Sequence, residues 1–155
     1  IGSDGFDVEH LKGNTAIANA NLAYNLFQDS IIGSRWEYLD NKGAHVQRPL
    51  WASTSTKNPL YSDVLYVESL IAENTVNTMP PDTIVAFKDH GNASVSLGSD
   101  LAKSQEHMDS LDKLGISIDE ISATLESDGV DSFVESYEQL LSVIEERSIA
   151  LTKDV

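Results

Sequence analysis

Only two stretches of this chain read as β-strands, and each is followed by helical sequence. Residues 47–53 (QRPLWAS) are short, apolar in the middle and closed by polar turn residues. Pro49 lacks a donor, so it belongs near the start of that strand or at a gap in its ladder. Residues 75–79 (TVNTM) are short and β-branched. Strands that alternate with helices pair in parallel, which makes this an α/β chain. Two parallel strands with open edges are no stable core, because a parallel sheet needs both faces covered and a barrel must close. The expectation is therefore a part of a larger sheet.

The helices around these strands carry their own signals. Residues 1–13 are Gly-rich and aperiodic and read as a loop. Asn14 or Thr15 caps a helix over 15–29, with Ile17, Ala20, Tyr24 and Phe27 at helical spacing. A shorter helix covers 34–42 and ends at Gly43. Residues 54–61 (TSTKNPLY) form a loop, and Ser62 and Asp63 open a helix bearing Val64, Leu65, Val67 and Leu70. Pro81 fits the first turn of the next helix, where its missing N–H costs nothing, and His90-Gly91 ends that helix. Three more helices are expected: one over 99–114 stopped by Gly115, one opened by the capping box of Ser117 and Glu120 and stopped by Gly129, and one opened by Ser132 and Glu135. The last should bury Phe133, Tyr137, Leu140, Leu141 and Ile144 and fray after Arg147.

Charge narrows the ligand classes. There are 10 Lys+Arg against 25 Asp+Glu, a net charge of −15. Residues 61–155 hold 19 of the acids, and such a surface repels nucleic acid and anionic membrane. Residues 41–62 hold no acid at all while carrying Lys42, Arg48 and Lys57. That window is where an anionic ligand would be tolerated; a neutral strand and loop with chance cations would read the same way. The chain has no Cys, so a disulfide framework, a thiolate metal site and a thiol nucleophile are excluded. No apolar run approaches the roughly 20 residues of a membrane span. No secretory leader is visible, and the start at Ile1 without Met suggests polypeptide upstream.

The segment Arg48-Pro49-Leu50-Trp51-Ala52-Ser53-Thr54-Ser55-Thr56-Lys57-Asn58-Pro59 resembles the strand 7 signature of transaldolases, in particular the subgroup of actinobacteria and plants. The resemblance continues through Leu65-Tyr66-Val67, Asn74-Thr75-Val76-Asn77-Thr78-Met79-Pro80, Asp89-His90-Gly91, Leu114-Gly115-Ile116 and Gly129-Val130-Asp131-Ser132-Phe133. Upstream, residues 13–24 (GNTAIANANLAY) are similar to the helix before that strand. The resemblance implies a (β/α)₈ barrel of the class I aldolases. Residues 1–155 would be the C-terminal part of one barrel domain, carrying strands 7 and 8 and the terminal helices, with strands 1–6 absent.

The implied activity is transfer of a dihydroxyacetone unit between ketose and aldose phosphates through a Schiff base, a step of the pentose phosphate pathway. The substrates would be sedoheptulose 7-phosphate, fructose 6-phosphate, glyceraldehyde 3-phosphate and erythrose 4-phosphate, and no cofactor is implied. The Schiff-base lysine on strand 4 has no counterpart here, so the chain alone should be inactive, and the missing N-terminal part of the barrel becomes a required partner. The setting would be the cytoplasm, or a plastid if the protein is plant-like. The competing reading is a catalytically inactive acidic half-barrel that serves as an interaction module.

What these residues can supply is the phosphate end of a substrate. Loops after strands 7 and 8 of such barrels often cradle phosphate, and a dianion wants a cation with several donors. Ser53, Ser55 and Lys57 answer that need. The family pattern has Ser-x-Arg where this chain has Ser55-Thr56-Lys57, and Lys is a point charge rather than a fork; either Ser53 or Ser55 matches the family serine. Lys57 could instead be an exposed structural lysine or a nucleophile. Asn77 shares a strand face with Thr75 and Met79 and could line the barrel near substrate, or be a satisfied polar core residue. Trp51 reads as core. His10, His45, His90 and His107 lack metal-ligand spacing, 128–131 fails the calcium-loop pattern, and no metal site is expected. Asn92-Ala93-Ser94 matches a glycosylation sequon, with nothing else to suggest secretion.

Overall fold

A computed structural model describes residues 8–153. The opening loop lies outside the described residues as far as position 7. The order is a 3₁₀ turn (Glu9–Leu11), α1 (Thr15–Ser30), α2 (Ser34–Asp40), β1 (Leu50–Trp51), α3 (Leu65–Ser69), β2 (Val76–Asn77), α4 (Pro81–His90), α5 (Leu101–Lys113) and α6 (Ile118–Lys153). The chain divides into two compact units at the Ser110–Leu111 boundary. It is a mixed α/β structure, mostly helical, with one small sheet among the described residues.

β1 and β2 pair in parallel, Leu50 opposite Val76 and Trp51 opposite Asn77. Val76 donates its N–H to the Pro49 carbonyl and Thr78 to the Trp51 carbonyl, both at 2.9 Å. Pro49 stands at the start of β1, where only its carbonyl is needed. Both strands are shorter than the expected 47–53 and 75–79. Each has a single neighbour, so pairing lasts only where the two backbones run side by side, and Ser53 ends β1 by turning to φ +56°.

The core of the first unit is Tyr24 of α1, Leu70 after α3 and Leu97, with Phe27, Trp51 and Tyr66 packed around them. Trp51 is thus core, as its strand position suggested. Asn21 of α1 acts as a polar rivet: its Nδ2 donates to Ser104 Oγ of α5 at 2.8 Å, and its Oδ1 accepts the Gly98 N–H at 2.6 Å. Asn14 precedes α1, but its side chain donates backward to the His10 carbonyl at 3.1 Å instead of capping the helix.

Gly43 (φ +86°) ends α2 with the Ala44 N–H on the Leu39 carbonyl. Gly115 (φ +74°) ends α5 in the same manner, with Ile116 N–H on Leu111 O. In both the left-handed residue lets the chain fold back onto orphan carbonyls, which favours glycine. Ser117 Oγ accepts the Glu120 N–H at 3.2 Å and starts α6.

From there the structure corrects the expectation. Gly129 does not stop a helix, Ser132 does not open one, and no fraying sets in after Arg147, because α6 runs unbroken over Ile118–Lys153. An interior glycine costs a helix only about 1 kcal/mol relative to alanine, which cooperative propagation absorbs. The expected burial of the last helix is also overturned. Phe133 is 80% exposed, and Tyr137, Leu140, Leu141 and Ile144 are exposed too.

Candidate functional site

The C-terminal ends of β1 and β2 lie side by side, and the loop leaving β1 passes over them. Thr54 is buried, and its Oγ1 donates to Asn77 Oδ1 at 2.7 Å, with Thr78 O at 3.4 Å. This one bond ties the first turn of the loop to the end of β2. Ser53 is exposed, Ser55 is half-buried and Lys57 is exposed. Thr56 Oγ1 is buried with no hydrogen-bond partner among the described residues. Past Lys57 the chain turns, with Tyr61 N–H on Asn58 O at 3.1 Å and Leu60 N–H on Asn58 Oδ1 at 3.0 Å.

The three residues singled out for phosphate thus fall on one short loop of a strand's C-terminal end. No side-chain hydrogen bond joins them to one another among the described residues. Asn77 lies beneath the loop as a half-buried, bonded residue. Its accepting oxygen is taken by Thr54, which leaves its amide N–H groups as donors.

Two polar arrangements escaped the sequence reading. His90 of α4 sits between Asp63 Oδ1 (Nε2, 2.9 Å) and Asp89 Oδ2 (Nδ1, 3.2 Å). The Asp63 hydrogen bond first, then that to Asp89, holds the imidazole above its ordinary pKa, and the bond to His90 holds Asp63 below the ordinary carboxylate range. Separately, an open cleft of about 620 Å³ is lined by His10, Asn21, Lys103 and His107 among others. None of Ser53, Ser55, Lys57 and Asn77 lines it. Within it, His107 Nε2 lies 3.0 Å from Thr15 Oγ1, and the rings of His10 and His107 meet edge-on at 6.4 Å. Burial, and then the neighbouring His10, lower the pKa of His107. The Asp63–His90 and Thr15–His107 pairs leave no mark in sequence, since the partners lie 27 and 92 positions apart.

Among the described residues no three His, Asp or Glu side chains come together as a metal site. No helix there is long and apolar enough to cross a membrane.

Comparison with known proteins decides the family. The model described as Transaldolase/Fructose-6-phosphate aldolase matches residues 3–144. The chain belongs to this family. A transaldolase of Trichodesmium erythraeum is 44% identical over 147 residues, covering 94% of this chain and 39% of that protein. One of Mycolicibacterium smegmatis is 45% identical over 142 residues, covering 91% and 38%. Transaldolase 2 of Streptomyces coelicolor is 41% identical over 146 residues, covering 94% and 39%. The chain therefore spans about two fifths of the length of the curated relatives it matches. The family match takes in the loop at 53–57, both strands and α6 as far as position 144.

Proposed function

We propose that this chain is the C-terminal part of a transaldolase, with β1 and β2 as the seventh and eighth strands of a (β/α)₈ barrel. In this reading the complete protein moves a dihydroxyacetone unit between sugar phosphates such as fructose 6-phosphate and sedoheptulose 7-phosphate, in the cytoplasm. The single observation that carries it is the match to transaldolases at 41–45% identity across nine tenths of the chain. Two structural features support it. Among the described residues the sheet has two strands, which leaves each with an unpaired edge, and Leu50 of β1 is 53% exposed on an uncovered face. The loop at 53–57 leaves the C-terminal end of a parallel strand, where barrels of this kind place their substrates.

The chain's own residues then do binding, not bond-breaking. Lys57 sets its ammonium against the substrate phosphate, and Ser53 and Ser55 donate hydroxyl hydrogens to its oxygens. Thr54, bonded to Asn77, fixes where the loop leaves β1. The family's Schiff-base lysine belongs to polypeptide outside this chain, and it supplies the covalent chemistry.

The test uses the chain joined to the polypeptide that completes the family fold. That protein should interconvert fructose 6-phosphate and sedoheptulose 7-phosphate in a coupled assay, whereas residues 1–155 alone should not. Lys57→Gln should raise KM for fructose 6-phosphate about 10- to 100-fold, the usual loss for a hydrogen bond to a charged group. Borohydride in the presence of fructose 6-phosphate should trap an adduct away from Lys57. An adduct on Lys57 would overturn the assignment. A complete protein without turnover would favour the inactive module.

A further inference from the structure

Asp89, His90 and Gly91 close α4, and phosphate binding gives them no role. Both ring nitrogens of His90 face carboxylates, Asp63 at 2.9 Å and Asp89 at 3.2 Å. A carboxylate accepts and does not donate. A neutral imidazole has one N–H and can satisfy only one of the two, while the imidazolium satisfies both. The doubly protonated ring is therefore the species that matches this geometry. Gly91 completes the motif, since a Cβ there would overlap the Phe87 ring and carbonyl.

The position of Asp63 gives this bridge a consequence. Asp63 follows the 58–61 turn that ends the loop, and it lies just ahead of α3, where Ser62 Oγ accepts the Val64 N–H. The loop is thus tethered twice. At its start a neutral bond holds Thr54 to Asn77. At its far end a charged bond holds Asp63 to His90. Ser55, Thr56 and Lys57 lie between the two tethers.

We propose that His90 is a positioning residue: as an imidazolium bridging Asp63 and Asp89, it latches the far end of the 53–57 loop to α4 and holds Lys57 and Ser55 where a substrate phosphate is received. The inference rests on the phosphate reading of that loop. Asp63 faces His90 from the turn ahead of α3, and Asp89 from its own helix. Glu68 of α3 accepts the Asn92 N–H at 2.7 Å, two positions beyond, and adds negative charge from α3. Of these, Asp63 and then Asp89 favour the protonated ring. The latch forms between the lowered pKa of Asp63 and the raised pKa of His90. A raised histidine pKa means its contribution is complete below about 6.5 and is lost as pH rises through the raised value. These groups are solvated, so the effect is a modest ordering of the loop, worth about two- to five-fold in KM.

The experiment measures KM for fructose 6-phosphate and for unphosphorylated fructose from pH 7 to 9 on the completed protein, a range in which the substrate phosphate stays a dianion. In the unaltered protein KM for fructose 6-phosphate should rise, by up to about two- to five-fold, as pH climbs through the raised pKa of His90. His90→Gln should show the high-pH KM throughout, with kcat and the KM for fructose unmoved. His90→Lys, a fixed cation, should keep the low KM to higher pH. In the unaltered protein His90 should titrate above the ordinary range by NMR, and Asp63→Asn should bring it down; this holds whether or not the other variants assay well. An unchanged pH profile in His90→Gln, or equal losses for both sugars, would sink the latch. If Lys57→Gln raises KM while His90→Gln does nothing, the latch fails and the phosphate reading stands. If neither moves KM for fructose 6-phosphate, the phosphate reading itself fails.

Discussion

The first unit and α6 begin from the same kind of sequence and end differently. α1 presents Tyr24 and Phe27 on one stripe, and α6 presents Phe133, Tyr137, Leu140 and Ile144 on another. Tyr24 is buried against Leu70 and Leu97, and its hydroxyl donates to the Glu73 carbonyl at 3.0 Å. Phe133 stays 80% exposed. An apolar stripe says which face of a helix is available for burial. It does not say whether a surface exists to bury it, and that depends on segments far away in the chain.

The widest break between the two should appear on truncation. Tyr24→Ala should cost about 3–5 kcal/mol, the usual range for deleting a buried aromatic ring. Phe133→Ala should stay within about 0.5 kcal/mol in this chain, as exposed substitutions do. Urea unfolding followed by near-ultraviolet circular dichroism measures both. Equal losses would erase the distinction.

Glycine sharpens the contrast at a smaller scale. Gly115 sits at φ +74° after α5, so Gly115→Ala should destabilise by about 1–2 kcal/mol. Gly129 lies inside α6 with nothing within 4 Å of a Cβ placed there. Gly129→Ala should therefore stabilise by about 0.5–1 kcal/mol and raise helical ellipticity on heating. A loss at position 129 would restore the helix break that the sequence suggested. Ser117→Ala removes the acceptor for the Glu120 N–H and should cost about 1 kcal/mol of α6 stability.

What could be read from sequence was local. Pro81 at a helix start, Ser117 as a cap and the turns at Gly43 and Gly115 depend on residues within one turn, and each is found where it was expected. Gly129 shows the limit of the same rule: a weak local penalty gave way to a 36-residue cooperative helix. Gly91 shows another limit. It ends α4 at φ −72°, so close approach of Phe87 calls for the glycine there, not a left-handed turn. The loop of Ser53, Ser55 and Lys57 could be located by its place after a strand. The bonds that hold that loop could not, since Thr54 finds Asn77 23 positions on and Asp63 finds His90 27 positions on. Nothing in spacing or composition marks such pairs.

The smallest expected effect separates two histidines of one unit by sign. Thr15 Oγ1 donates its hydrogen to the Leu11 carbonyl at 3.2 Å, so toward His107 it accepts. That places a proton on Nε2, where the neutral and the charged ring can both donate. Burial, and then the edge-on His10, favour the neutral ring and lower its pKa. A histidine with a lowered pKa contributes stability above about 6.5, and that contribution fades as pH falls from there through the lowered value. His90 behaves oppositely, since its bridge is kept on acidification and lost toward high pH. Between pH 7.5 and 5, therefore, the contact of α1 with α5 should loosen while the Asp63–His90 bridge holds. The check is the fall in Tm across that range for the unaltered chain and for His107→Gln, whose amide can still donate to Thr15 but cannot titrate. The variant should fall less. A His107 ring that titrates at or above the ordinary value by NMR, or an equal fall in Tm, would remove the difference between the two histidines.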